Sequence, residues 1–250
     1  FNQYHMGKTA ENVAREVGIN REQQDEYALA SQMKAVAAIE AGKFVDEIVA
    51  VDVKKRKETI VFDTDEYPKA NATLSGLEKL RPAFEKEGTV TAGNASGIND
   101  GASAIIVASE SAVQKHGLQP IAEIASYAQS GLNPEIMGLG PVEAVTQALS
   151  KAEITTDDVN VYELNEAFAA QALGVIHKLA QEHDVSISSI LDKANVNGGA
   201  IALGHPLGAS GNRILVSLVH ELNRSNGTYG VASLCVGGGM GTAVVIKSIS

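Results

Sequence analysis

The sequence predicts an α/β protein: a mixed, mostly parallel sheet covered by helices, preceded by a loop-rich region. Three observations carry this. After about residue 120, apolar runs of strand length alternate with helical periodicities, the pattern of parallel strands joined by crossover helices. The last two strand-like runs, 229–234 and 242–249, are joined by a turn containing Gly237, Gly238 and Gly239, which makes them an antiparallel pair. Residues 61–89 instead hold Pro68, Gly76 and Pro82 and show no clean period. An irregular stretch of that length in a compact domain is often functional.

The elements follow in order. Asn20 and Gln23 form a capping-box pair that opens a helix, and Gly42 supplies its stop. Leu29, Met33, Val36 and Ile39 fall at spacings of four, three and three, a helical stripe expected in the core. Residues 47–53 read as a strand, and 101–109 as another with no partner nearby in sequence. A strand over 121–127 is followed by Pro141, suited to the first turn of a helix over 142–152. Next come a strand over 159–164, a helix over 166–181 and an amphipathic helix over 210–222. In the last of these, Ile214, Leu215, Leu218 and Leu222 share one side. No short-period repeat is present.

Composition removes several function classes. The 250 residues carry 20 Lys and Arg against 30 Asp and Glu, a net charge of −10. That acidity argues against general nucleic-acid binding, which needs a basic surface to neutralise phosphates. No run approaches the roughly 20 apolar residues of a membrane helix. The single cysteine, Cys235, excludes an intrachain disulfide or multi-cysteine metal site and fits a reducing, cytoplasmic setting. Phe1 is not an initiator, and the reading expects a piece of a longer chain.

Four segments place reactive residues beside glycine at strand ends, where open α/β sheets bind ligands. In Gly204-His205-Pro206-Leu207-Gly208-Ala209-Ser210-Gly211 the glycines let backbone approach a ligand, and His205 can serve as acid, base or oxyanion donor. A lone histidine is more often solvated or packed in a core, and His116, His177, His183 and His220 keep that reading; the glycine setting reverses it for His205. Cys235 ends a buried-looking strand beside the bare N–H groups of a glycine turn, where a thiolate can be stabilised. From the residues alone it is either a nucleophile or a base. Asn165 lies where a strand gives way to a helix and can act as an N-cap or anchor a water. The small residues 91–101 suit backbone contacts to an elongated ligand and equally a tight turn. The basic run Lys54, Lys55, Arg56 and Lys57 is a solvated edge that could steer a phosphorylated ligand.

Taken together, Asn165-Glu166-Ala167-Phe168, the His205 segment, and Cys235 with its glycine turn resemble the three C-terminal signatures of the thiolase family. Tyr4-His5-Met6-Gly7, residues 91–97 and Met137-Gly138 are similar to its acetyl-transferring branch. The resemblance covers essentially the whole chain. It implies the thiolase fold, with residues 1–99 as most of a loop domain, 100–118 as the closing strand and helix of an otherwise missing N-terminal half, and 119–250 as a complete βαβαβαββ C-terminal half.

It also implies a chemistry. Two acetyl-CoA interconvert with acetoacetyl-CoA and CoA through an acyl-cysteine in the missing half, so the 250 residues alone are expected to be inactive. Cys235 would be the proton-transferring thiol. His205 and a water on Asn165 would hold the enolate oxygen, and the N–H of Gly237 would serve a second oxyanion hole. His5, Met6, Phe84, Ser96, Met137, Ala167 and Phe168 match positions lining the CoA channel, with Lys69 near the nucleotide. The substrates are coenzyme A thioesters with no further cofactor, and the assembly is a homo-oligomer, a dimer of dimers. A degradative 3-ketoacyl-CoA thiolase and a non-catalytic CoA- or lipid-binding module are the alternatives.

Overall fold

A computed structural model describes residues 3–56 and 58–249; Phe1 and Lys57, both singled out in the sequence, lie outside them. The chain begins with two helices, α1 (Met6–Val17) and α2 (Arg21–Glu40). The capping box is present: Asn20 accepts from the Gln23 N–H and the Gln23 side chain accepts from the Asn20 N–H. The expected core stripe of α2 is not its buried face. Met33 is exposed, and Leu29, Val36 and Ile39 are half-buried, while Gln24, Ala28, Ser31, Gln32, Ala35 and Ala38 face inward. The reason is close backbone approach: a Cβ on Gly198 would lie 2.7 Å from the Ser31 carbonyl oxygen and from the Ala35 methyl. Only small or hydrogen-bonding side chains fit there.

The strand expected over 47–53 is displaced. Phe44 is buried in a turn, and pairing starts at β1 (Val51–Lys55), which forms an antiparallel hairpin with β2 (Glu58–Phe62). Every described residue of this hairpin is exposed, and Arg56 turns it with φ +57°. Beyond it, α3 (Leu74–Glu78) is the one helix of the irregular region 63–100. Residues 101–109 form no strand. They carry no regular secondary structure, with Ile106 and Val107 bare to solvent, and α4 (Glu110–His116) follows. With no partner ladder beside it, the segment's apolar pattern has nothing to pair with.

The main sheet is built from β3 (Ala122–Gly131), β4 (Val159–Leu164), β5 (Tyr229–Val236) and β6 (Met240–Ser248), in the order β3-β6-β5-β4. It is mixed, and the expected predominance of parallel pairing holds for strand direction but not for ladders. Three strands point the same way, but β6 is inserted against them, so only β4–β5 is a parallel ladder. A fifth strand is reduced to a bridge between Tyr162 and Ala194 on the free side of β4. The helices α5 (Gly140–Lys151) and α6 (Ala169–Glu182) cover one face, over a core of Leu149, Tyr162, Leu164, Ile176 and Leu179. On the other face α9 (Ser210–Ser225) buries Ile214, Leu218 and Leu222 against Val161 and Ile246. Two short helices, α7 (Ile187–Leu191) and α8 (Ala200–Leu203), fill the connection between α6 and α9.

The glycine turn after β5 is wedged against the start of α5. Gly239 has φ +92°, and its carbonyl accepts from the Leu132 N–H at 2.8 Å. A Cβ on Gly140 would come within 2.5 Å of the Met240 carbonyl oxygen. Both partners are backbone in regular elements, so neither can yield cheaply. Gly140→Ala is therefore expected to cost about 2–3 kcal/mol, read as a lower urea midpoint; an unchanged midpoint would show that the turn is free to shift.

Candidate active site

The ends of β4 and β5 lie side by side, and this sets the site. The Asn165 N–H donates to the Ser233 carbonyl at 2.9 Å, extending the parallel ladder one step beyond β4. Asn165 therefore stands beside the strand end that carries Cys235. The helix expected from 166 begins at Ala169, with Phe168 as N-cap, so Asn165 does not cap it. Its side chain is buried, and both its Oδ1 and Nδ2 lack a hydrogen-bond partner. Leaving both ends of a buried amide unpaired costs about 1–3 kcal/mol per group. Such a group is a strained structural feature unless a ligand or water completes it.

His205 reaches this corner through residues 95–99. The Ser96 N–H and Oγ both donate to the Ala167 carbonyl, at 3.1 and 3.0 Å. One step on, the His205 N–H donates to the Gly97 carbonyl at 3.1 Å and to Asn99 Oδ1 at 3.2 Å. The segment 91–101 is thus a strap between the Asn165 turn and the His205 loop. The imidazole Nδ1 lies 2.5 Å from Ser210 Oγ. Burial, and secondly the charge of Arg213, push the His205 ring below its ordinary pKa, so it is neutral at pH 7.

Cys235 is half-buried, and burial pushes its thiol up to about 12. At neutral pH it holds its proton. Iodoacetamide is therefore expected to alkylate the folded chain on the order of a hundredfold more slowly than the urea-unfolded chain at pH 8, the higher intrinsic nucleophilicity of a basic thiolate recovering part of the lost population. Equal rates would show that burial does not hold the thiol protonated, and a faster rate in the folded chain would show an activated cysteine. Gly237 follows at an exposed turn position with open space around its Cα.

The other candidates divide. His5 caps α1, its Nδ1 accepting from the Gly7 N–H at 3.0 Å, and its ring stacks on Phe84 at 4.8 Å between centroids. Phe84 meets Phe168 edge-on at 5.9 Å. Met6 is exposed beside this trio, and Met137 is buried in the short 3-10 helix Pro134–Leu139, which packs on α1 and α6. Lys69 stands apart, exposed, its ammonium 5.5 Å above the Tyr67 ring.

Two buried carboxylates that sequence reasoning passed over organise this region. Glu166 accepts from Tyr27 Oη (3.1 Å), Ser31 Oγ (2.7 Å), Asn195 Nδ2 (3.0 Å) and the Ile201 N–H (3.2 Å), tying α2, α8 and the 195 loop to the turn that carries Asn165. Glu163 is buried on the face toward α9, and burial raises it to about 8. Period-two alternation in β4 puts Glu163 on the same face as Val161, which is the signal that could have found it. Among the described residues, no group of His, Cys, Asp and Glu could hold a metal ion.

Known proteins match the chain over nearly its whole length. A family model described as "Thiolase, N-terminal domain" matches residues 1–111, and one described as "Thiolase, C-terminal domain" matches 118–248. An acetyl-CoA acetyltransferase from Chromobacterium violaceum is 56% identical over 99% of this chain. A solved acetyl-CoA acetyltransferase from Bacillus anthracis superposes with a TM-score of 0.93 at 46% identity over 100% of the chain. Human mitochondrial 3-ketoacyl-CoA thiolase, solved in complex with CoA, gives 0.90 at 51% identity over 98% of the chain. The chain spans 61% of the first two proteins and 59% of the third.

Proposed function

The chain belongs to the thiolase family, and from that premise we propose that the whole protein is an acetyl-CoA C-acetyltransferase to which these residues contribute the enolate-forming half of the site. The observation that carries the reading is the Asn165 amide, buried and unpartnered at the strand end beside Cys235. An amide in that state suits a water that donates to a developing oxyanion. His205 would supply the second donor.

In the synthetic direction Cys235 first gives its proton to the CoA thiolate that departs on acylation, and the thiolate so formed takes a methyl proton from the second acetyl-CoA. The enolate oxygen is held by His205 and the Asn165 water, and the enolate carbon attacks an acyl-cysteine thioester. The carbon–carbon bond forms as that cysteine leaves as thiolate. In the cleaving direction Cys235 begins as the thiol and gives its proton to the enolate carbon, the state favoured by its raised pKa. The N–H of Gly237 would face the thioester oxygen. His5, Met6, Phe84, Ser96, Met137, Ala167 and Phe168 would line the pantetheine path, and Lys69 would sit near the nucleotide. The chemistry asks for no metal or prosthetic group. A cytoplasmic homo-oligomer, a dimer of dimers, completes the proposal. Among the described residues no helix is long and apolar enough to cross a membrane.

The acylated cysteine is not among these 250 residues, since Cys235 is the one cysteine and takes the proton-transfer role. Incubating the chain with acetyl-CoA is expected to leave its intact mass unchanged; a stable acetyl group on Cys235 would make it the nucleophile and overturn the assignment. In the whole protein, Asn165→Ala and Cys235→Ala are expected to lower acetoacetyl-CoA cleavage by at least about 10²-fold, as losses of oxyanion and proton-transfer groups do. A series of 3-ketoacyl-CoA substrates decides between short-chain and longer-chain specificity.

A further inference from the structure

We propose that Ser210 is a positioning residue that fixes which nitrogen of His205 carries the ring hydrogen: its hydroxyl donates to Nδ1 and so keeps the hydrogen on Nε2. Ser210 is fully buried at the first position of α9. Its Oγ has two neighbours, His205 Nδ1 at 2.5 Å and the Pro206 carbonyl oxygen at 3.3 Å. That carbonyl already accepts from the Ser210 N–H at 2.9 Å.

A hydroxyl has one proton to give, and a neutral imidazole has one N–H. If Nδ1 carried the hydrogen, Ser210 would accept it and send its own proton along the longer path to a carbonyl already served. If Ser210 donates to Nδ1, its proton takes the short path and the Pro206 carbonyl keeps its backbone partner. The ring is neutral at pH 7, so there is one hydrogen to place.

The consequence rests on the proposed function. Only the Nε2–H tautomer presents a donor to an enolate or carbonyl oxygen; the other presents a lone pair and repels it. The tautomer itself is a property of this chain and can be read without turnover.

The test is long-range proton–nitrogen correlation spectroscopy on the nitrogen-15-labelled chain at pH 7.5, with His205 assigned by the signal lost in His205→Gln. Nε2–H is expected to dominate in the unmodified chain, and its ratio to Nδ1–H is expected to fall about tenfold in Ser210→Ala, the worth of one hydrogen bond. Ser210→Thr, which keeps the hydroxyl, is expected to restore the ratio. An Nδ1–H tautomer in the unmodified chain, or an unchanged ratio in folded Ser210→Ala, overturns the proposal. If the alanine variant does not fold, Ser210→Cys replaces it, its weak S–H donor lowering the ratio while filling the space. Loss of acetoacetyl-CoA cleavage from the whole protein with the Nε2–H tautomer intact would count against the proposed function and leave the role of Ser210 standing.

Discussion

Raising the pH from 6.5 to 9 is expected to destabilise the folded chain by about 2 kcal/mol, and Glu163→Gln is expected to remove most of that loss. Glu163 lies in the wall between β4 and α9, and burial raises its carboxyl to about 8. Arg213 relieves part of the cost, while Glu166, Glu47 and Glu221 add to it. Glu47, packed under α9 and hydrogen-bonded by Ser217 at 3.2 Å, is raised to about 7 by the same desolvation. Both groups ionise near 4.5 when the chain is unfolded. Between 4.5 and 8 the folded state holds more protons than the unfolded state, so stability falls as pH rises. The contribution is complete below about 4.5 and gone once pH passes 8. At about 1.36 kcal/mol per pKa unit, and allowing for relaxation around the charge, Glu163 accounts for on the order of 2–4 kcal/mol over the whole span, of which at most about 2 kcal/mol falls above pH 6.5. The histidines act oppositely: His177, His183 and His205 are lowered by burial, so their stability is lost on acidification below about 6.5. Urea midpoints of the unmodified chain and Glu163→Gln at the two pH values check this. An equal pH dependence in both would place the proton elsewhere.

Glu166→Ala is expected to cost about 3–5 kcal/mol, the range for removing one partner of a buried charged network. Four donors converge on this carboxylate, and alanine would leave them facing one another in a dry space. Glu166→Gln is expected to lose less, since its carbonyl oxygen still accepts from some of them. The loss should reach the candidate site as well, because Glu166 is covalently next to Asn165. Chemical denaturation gives the first quantity; a midpoint within about 1 kcal/mol of the unmodified chain would mean that water replaces the carboxylate.

Most of the C-terminal module could be read from the residues. Strand β4 falls at the expected bounds, Pro141 opens α5 within its first turn, and the glycine turn joins an antiparallel pair. These elements obey local rules: period-two or helical patterning with strong stop signals. The readings that moved depend on what lies across the gap. In α2 the buried face is chosen by the backbone of Gly198, so small and polar residues win over the apolar stripe. In the hairpin β1–β2 neither face is covered, so no alternation marks it. The first turn expected of α6 is pulled straight by Asn165 bonding to Ser233 and Ala167 to Ser96, distant partners that no local window contains. The site followed the same division. His205 and Cys235 announce themselves by their glycine settings, whereas Glu163, Glu166 and Ser210 take their importance from contacts made only after folding.

The order β3-β6-β5-β4 also has a consequence in time. Strand β3 is made first of the four, yet its ladder partner β6 spans Met240–Ser248, more than a hundred residues later. Closing so long a loop costs entropy before any hydrogen bond returns it, so this ladder is a slow contact to form. During synthesis β3 leaves the ribosome with both backbone edges open, and it stays so until β6 has emerged. In the meantime β4 too lacks β5, because its parallel neighbour lies 65 or more residues downstream (Val159 pairs with Tyr229, and Leu164 with Ser233). The sheet therefore assembles as one late event around the β5–β6 hairpin, and a nascent chain halted before Met240 carries helices but no closed sheet.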